Sequence, residues 1–401
     1  MITFDDARQR ILATVPTPRF EQVSLHEGLG RVLAEDIRAR RDAPPWDNTA
    51  VDGFAVQAAD THEASVDHPI SLSIIETVAA GSMPSTPVGP GQATRIMTGA
   101  PMPAGADAVV MVEDTDSDDS QVRIKAAAEV TDNIRPQGED VRSGEVVLAT
   151  GTNLKPAHLG MCAQLGRSQF MVSRRPTVAI LSTGDELAEL DEPLTEEKIL
   201  NVNSHALAAQ VVEAGAIALR LGIAKDTPEA IRAGIQAGLE ADVLIISGGV
   251  SMGDFDFVKP IMDELGGGLD FWKVQIKPAR PLAFGVIGGV PTFGLPGNPV
   301  SSMVSFELFV RPFLRQAMGH RVLDRPVIQA TLTKPVKKSP GRRFFLRAHV
   351  TQEAGGYQCQ TTGSQGSGML TSMVLADGLI DLAEELAGPI PAGTTVPVRL
   401  L

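Results

Sequence analysis

Apolar residues recur at helical spacing at Phe4, Ala7, Ile11 and Leu12, which predicts an amphipathic helix over residues 1–14 that Pro16 and Pro18 stop. A second helical pattern covers 24–36. The run Ala43-Pro44-Pro45-Trp46-Asp47-Asn48 then breaks regular structure with two prolines and turn formers. From about 56 to 140 the texture is short and alternating: Leu72–Ile75, Thr94–Met97, Ala108–Val112 and Val122–Ile124, separated by Gly/Pro turns. That pattern predicts a small all-β insert. The acidic run Asp114–Ser120 reads as a solvated hairpin tip, because it lacks the glycine and the closing glutamate of a calcium loop.

After residue 176 the period changes. Apolar runs at Val178–Ser182, Ala218–Ala224, Val243–Ser247 and Trp272–Ile276 predict strands. Helical patterns over 203–214, 228–239, 256–265 and 299–316 lie between or after them. Such alternation means βαβ units and a central doubly wound α/β domain with a mostly parallel sheet. From about 325 to 401 the alternation of strands returns, with prolines at 326, 335, 389, 391 and 397, and predicts a small C-terminal β domain.

Composition narrows the function. The net charge of −13 argues against a protein that coats nucleic acid, and no apolar run approaches the ~20 residues of a membrane span. Two cysteines make at most one disulfide, so a reducing cytoplasm is the expected setting, and the acidic opening MITFDDARQR does not read as a signal peptide. The charge is uneven. Residues 261–401 hold 14 Lys+Arg against 10 Asp+Glu, a weakly basic third in an acidic chain. That third is a candidate source of anion-binding groups.

Candidate chemistry collects at the ends of the predicted α/β strands. Five clusters fall there: Thr183-Gly184-Asp185-Glu186, Lys225-Asp226, Ser247-Gly248-Gly249-Val250-Ser251, Lys277-Pro278-Ala279-Arg280-Pro281, and Gly294-Leu295-Pro296-Gly297-Asn298-Pro299. Open α/β sheets bind ligands at the carboxyl ends of their strands. Gly248 and Gly249 admit close backbone approach, and Pro296–Pro299 feeds a helix whose free N–H groups favour an anion. The chemistry points to phosphate, without a Walker or dinucleotide glycine motif. Rim carboxylates at Glu186, Asp226 and Asp256 suit Mg²⁺, which takes hard oxygen ligands. Lys277 and Arg280 suit an oxyanion. Gly249–Gly253 also fits the G-x-S-x-G nucleophile elbow around Ser251, with Asp324 and His349 as nominal partners, although the predicted strand ends four residues too early.

Together with Asp47–Ala55, Arg95–Ala100, Pro103–Val110, Asn133–Arg135, Gly138–Asp140 and Gly294–Ser301, these clusters resemble the molybdopterin molybdenumtransferases. Eukaryotic relatives of that family include the gephyrin E domain. The resemblance runs nearly end to end. It implies an elongated, discontinuous N-terminal domain at 1–55 plus 141–174, an inserted β domain at 56–140, an α/β molybdopterin-binding domain at 175–322 and a C-terminal β domain at 323–401. It implies a cytoplasmic homodimer in transient contact with other proteins of molybdenum cofactor biosynthesis. The implied reaction joins molybdate and adenylylated molybdopterin, with Mg²⁺ or another divalent ion, to give molybdenum cofactor and AMP.

The family pattern assigns roles residue by residue. Glu186, Asp226 and Asp256 match acidic positions serving nucleotide and metal. Asp52, Thr98 and Asp140 match positions lent by the partner subunit. Thr183, Gly184, Asp185, Ser247, Gly248, Gly249, Ser251 and Pro296–Pro299 (with Gly297 and Asn298) form the substrate rim. Lys277, Arg280 and Ser301, with Arg343 and Ser367 in the last domain, match the molybdate positions. The chain departs from the family at Ala279 and Arg280, where Gly and Lys are usual. Arg280 adds a planar donor, and Ala279 resists a positive φ. The alternatives are a molybdopterin adenylyltransferase, a gephyrin-like scaffold without turnover, and the serine hydrolase.

Overall fold

The computed structural model describes residues 1–249 and 258–401, in two compact units. One comprises residues 1–23, 27–34 and 171–401; the other comprises 24–26 and 35–170. Ser251 and Asp256 lie outside the described residues.

The larger unit is built on a six-stranded sheet. In chain order its strands are β1 (Thr177–Thr183), β2 (Ile217–Ala224), β3 (Val243–Ser247), β4 (Gly268–Lys273), β5 (Pro281–Ile287) and β6 (Val290–Leu295). Across the sheet they run β2-β1-β3-β6-β5-β4. β1 is parallel to β2 and β3, and β3 to β6; β5 alone is reversed against β6 and β4. The sheet is therefore mostly parallel, as its apolar runs predict. Helices α1 (Val202–Ala214), α2 (Pro228–Gly238) and α3 (Val258–Glu264) connect the parallel strands. From β1 the chain moves outward to β2, and from β3 it moves outward the other way. The switch point thus lies between the carboxyl ends of β1 and β3, at Thr183 and Ser247, where such sheets open a crevice.

Three details differ from the pattern-based expectation. The helix over 24–36 is absent; only a single 3₁₀ turn at Leu25–Glu27 forms. Gly28 and Gly30, the latter at φ 74°, interrupt an otherwise helical apolar spacing. The strand placed at 272–276 begins at Gly268 and ends at Lys273, and Ile276–Lys277 joins a different sheet. The β5–β6 hairpin was not foreseen. Gly288 and Gly289, both at positive φ, supply the tight turn that matches strand twist.

The predicted helix 299–316 forms as α4 (Pro299–Ser305), a π turn (Phe306–Val310) and a last helical stretch (Arg311–Ala317). Pro312 has no N–H to give Leu308, and the Leu308 carbonyl accepts from Arg8 Nη1 at 3.4 Å instead. Arg8 comes from the amphipathic helix Phe4–Ala13, which buries Phe4, Ala7 and Ile11. The Phe4 ring lies 5.4 Å from both Phe309 and Phe345, so this helix belongs to the α/β core and ties it to the last segment.

That last segment closes on itself. Strand Arg343–Glu353 pairs with Gly356–Thr361, which pairs with Val327–Leu332, then Thr395–Leu400, then Gly378–Leu382, and back to Phe344–Ala348. The result is a five-stranded barrel, and closure removes the exposed edges that an open sheet would carry. Ile276–Lys277 adds alongside Arg343–Phe344 in parallel register.

The smaller unit carries the foreseen β insert, a sheet ordered Ala108–Met111, Gly53–Val56, Gln92–Ile96, Ile70–Val78, Gln121–Ile124 and Thr115–Ser117. Asp118 Oδ1 accepts from the Ser120 and Gln121 amides at 2.8 Å each, fixing the acidic hairpin tip.

Candidate active site

Two adjoining cavities open at the carboxyl rim of the sheet in the larger unit. The first, about 560 Å³, is lined by Thr183, Gly184 and Glu186 after β1, Asp226 after β2, Ser247–Gly249 after β3, and Gly297–Pro299. The second, about 580 Å³, is lined by Lys277–Pro281, Pro296, Ser301 and, from the barrel segment, Arg342 and Gln365–Ser367. Gly297 and Asn298 line both.

Backbone geometry shapes the first cavity. Gly248 has φ 99°, and a Cβ there would stand 2.5 Å from the Thr183 carbonyl oxygen, so only glycine lets the ends of β1 and β3 approach. Asn203 is the side chain that ties the rim together, donating from Nδ2 to Ser247 Oγ at 2.9 Å and to the Gly297 carbonyl at 2.8 Å. Asn201 caps α1, accepts from Ser182 Oγ at 3.0 Å and donates to Glu189 at 3.0 Å. Sequence reasoning missed both asparagines. Their only signal is two amides in the run Ile-Leu-Asn-Val-Asn-Ser, just where a helix begins.

Acid is concentrated on one side. Asp226 and Asp185 each take the other's backbone N–H on a carboxylate, at 3.4 and 3.2 Å respectively. Burial, with the charges of Asp185 and Glu186, raises the Asp226 carboxyl above the ordinary range. A cation between such groups relieves both effects. The donors are hard oxygens, and Mg²⁺ commonly takes one or two carboxylates and completes its shell with phosphate and water. Glu186 and Asp226 fit that role, although no group of three or more metal-type side chains is preassembled among the described residues.

Base is concentrated on the other side. Lys277, Arg280, Ser301 and Ser367 line the second cavity as the sequence pattern placed them. Arg343 does not. Its guanidinium forks onto Asp381 at 2.6 and 2.8 Å and lies over Phe4, so it is a structural pair inside the unit. Arg342, in the bend just before the strand, lines the cavity instead. Arg347, also missed, is 1% exposed and has no carboxylate partner among the described residues. It donates to the Gly366 carbonyl and Ser372 Oγ at 3.1 Å each, directly behind the cavity-lining loop. Burial lowers its pKa to about 10, which leaves it cationic at neutral pH. Ala279 takes φ 73°, the left-handed region its side chain resists, at a cost of about 1 kcal/mol relative to glycine.

Asp52, Thr98 and Asp140 lie in the smaller unit. Asp52 Oδ1 accepts from the Thr98 amide and hydroxyl at 2.7 Å each, and these bonds lower its pKa. Asp140 accepts from Gln164 at 3.0 Å and lines a separate cavity of about 340 Å³ that holds neither Asp52 nor Thr98. The hydrolase alternative loses its partners. Asp324 is bound by Arg8 at 2.5 Å and faces Arg399 at 3.6 Å, while His349 stands 3.5 Å from Asp377.

Three family models match the chain in order. Residues 2–166 match the MoeA N-terminal region (domain I and II), 179–316 a probable molybdopterin binding domain, and 329–401 the MoeA C-terminal region (domain IV). A molybdopterin molybdenumtransferase of Bacillus subtilis is 37% identical over 100% of this chain and 94% of the relative. The chain belongs to the MoeA family. Molybdopterin molybdenumtransferase 2 of Mycobacterium tuberculosis is 40% identical over 94% of each chain. The crystal structure of a molybdopterin biosynthesis MoeA protein from Pyrococcus horikoshii superposes with a TM-score of 0.84 at 33% identity, covering 100% of this chain and 99% of that one. The family match spans both cavities and the barrel behind them.

Proposed function

We propose that this MoeA-family chain is a molybdopterin molybdenumtransferase that inserts molybdate into adenylylated molybdopterin and releases AMP. The observation that carries the reading is the pair of adjoining cavities: one acidic and glycine-lined, one basic, sharing Gly297 and Asn298. A phosphorylated pterin with its AMP group suits the first and a tetraoxoanion the second.

Each side chain has a defined task. The rim glycines leave room for phosphate against the backbone at Gly248 and Gly249. Lys277 and Arg280 neutralise molybdate, and the hydroxyls of Ser301 and Ser367 donate to its oxygens. Glu186 and Asp226 would hold a divalent ion, which supplies charge neutralisation to the phosphate oxygens. The cleaved bond is the phosphoanhydride of the adenylylated pterin. A molybdate oxygen attacks the AMP phosphorus and the pterin phosphate leaves; that oxygen departs from molybdenum with AMP, and the two dithiolene sulfurs, losing their protons, take its place. If water attacks instead, the displaced molybdate oxygen leaves as water. Catalysis is then mostly positioning and charge stabilisation.

The same reading carries a cytoplasmic homodimer in which Asp52, Thr98 and Asp140 of one subunit complete the rim of the other. The end-to-end match to named transferases supports the transferase reading. Incubation with adenylylated molybdopterin, molybdate and Mg²⁺ should release one AMP per substrate. Folded protein that releases none under these conditions sinks the reading. Mixing inactive Asp52→Asn and Asp226→Asn subunits, with exchange, should restore roughly a quarter of wild-type activity if the site is shared across a twofold axis. No recovery would refute the shared site.

A further inference from the structure

We propose that Phe344 is a positioning residue of the basic cavity: its ring holds the Lys277 ammonium in place for the oxyanion. The proposal deepens the reading of that cavity as the molybdate seat and rests on it. Lys277 Nζ lies over the Phe344 ring, 5.0 Å from its centroid, within the range of a cation–π contact. The two residues are also register partners where Ile276–Lys277 pairs with Arg343–Phe344, so the backbone brings ring and stem together.

The ring itself is held firmly. It is 3% exposed. A second ammonium, Lys338 Nζ, stands 5.1 Å from the same centroid and donates to the carbonyls of Leu386 at 2.7 Å and Glu384 at 3.3 Å. The adjacent Arg343 is locked to Asp381, which fixes the strand that carries the ring. Lys277 is by contrast exposed and carries a flexible four-carbon stem. An ammonium already resting on a fixed ring loses less rotamer freedom when an anion binds it, and its remaining N–H groups stay free to donate. Phe344 thereby acts on the oxyanion through Lys277 without touching it.

The test is molybdate binding by calorimetry, joined to AMP-release kinetics, on the full-length protein. Phe344→Leu should weaken molybdate binding and raise the KM for molybdate by about two- to fivefold, leaving kcat at saturating molybdate unchanged. Phe344→Tyr, which keeps the π face, should restore the parent values. Progressively fluorinated phenylalanine at position 344 keeps the shape and removes the ring's negative face. Affinity should fall stepwise along that series, which also answers the case in which Phe344→Leu fails to fold. Lys277→Met separates the two ideas. If it weakens molybdate but neither Phe344→Leu nor the fluorinated series does, the positioning role is wrong and the seat stands. If Lys277→Met leaves molybdate binding unchanged, the molybdate seat is wrong and the proposal falls with it.

Discussion

Substituting alanine at Gly248 tests whether the closeness of β1 and β3 sets the rim. Two costs apply. The first is conformational: φ is 99°, and a side chain in left-handed backbone costs about 1–2 kcal/mol. The second is steric. The new Cβ would lie 2.5 Å from the Thr183 carbonyl oxygen and 3.0 Å from Thr183 Oγ1, against about 3.4 Å for an ordinary contact. The backbone must move by nearly 1 Å, which strains the Gly248 N–H bond to the Leu295 carbonyl, 3.1 Å long. Overpacking of this kind costs about 1–3 kcal/mol. The sum is about 3 kcal/mol, or roughly a 6–12 °C fall in Tm at the 2–4 °C per kcal/mol usual for large domains. Gly266→Ala is the control. Its φ is 77° and a Cβ there meets nothing within 4 Å, so it carries the conformational cost alone. Gly249→Ala should fall between, because its Cβ would meet the Val258 and Thr183 side chains at 2.7 and 2.9 Å, which can give way. Scanning calorimetry of the three variants decides the matter. A Gly248→Ala protein no less stable than Gly266→Ala would refute the steric reasoning.

Asp226→Asn should raise the Tm of metal-free protein at pH 7, because the raised carboxyl pKa means its ionised form is held at a cost that grows above the unfolded pKa. The same variant should abolish AMP release, and a lowered Tm would overturn the charge-crowding account. Arg343→Met should cost about 3 kcal/mol, the low end for a buried pair because Arg399 still holds the 5%-exposed Asp381, and spare molybdate affinity in the folded protein. Arg342→Met should do the opposite, and calorimetric titration of both variants against thermal melts exposes any reversal. His320, 7% exposed and facing Arg315 and Arg311, has its pKa lowered from 6.5 to about 4. Its neutral form therefore contributes stability that is present above pH 6.5 and is lost as pH falls toward 4, on the order of 2–3 kcal/mol. Denaturant melts of the parent and of His320→Gln across that range should converge at low pH; parallel curves would remove His320 from the account.

Local chemistry explains how much could be read in advance. Period and turn residues announced the α/β strands, because a buried parallel strand must be apolar along its length and must end in polar or glycine residues. The same rule located Thr183, Gly184, Glu186, Asp226 and Ser247–Gly249 on one rim. It failed over 24–36, where apolar spacing fits a helix but Gly28 and Gly30 forbid it, and at β5–β6, whose glycines and prolines disguise a hairpin. Adjacent arginines were the harder case. Arg342 and Arg343 are indistinguishable by type, and the bend-to-strand boundary between them leaves one at the cavity and pairs the other with Asp381.

Sequence alone thus determined the residue chemistry: carboxylates after β1 and β2, glycines after β3, and a Lys-Pro-Ala-Arg-Pro turn within a basic third of an acidic chain. Tertiary structure decided which of those groups meet. It paired Asp226 with Asp185, set the buried Arg347 on Ser372 and the Gly366 carbonyl, and laid Lys277 over Phe344, 67 positions along the chain. Period and composition act over a few residues, whereas these pairings depend on barrel closure and strand register, which no local pattern encodes.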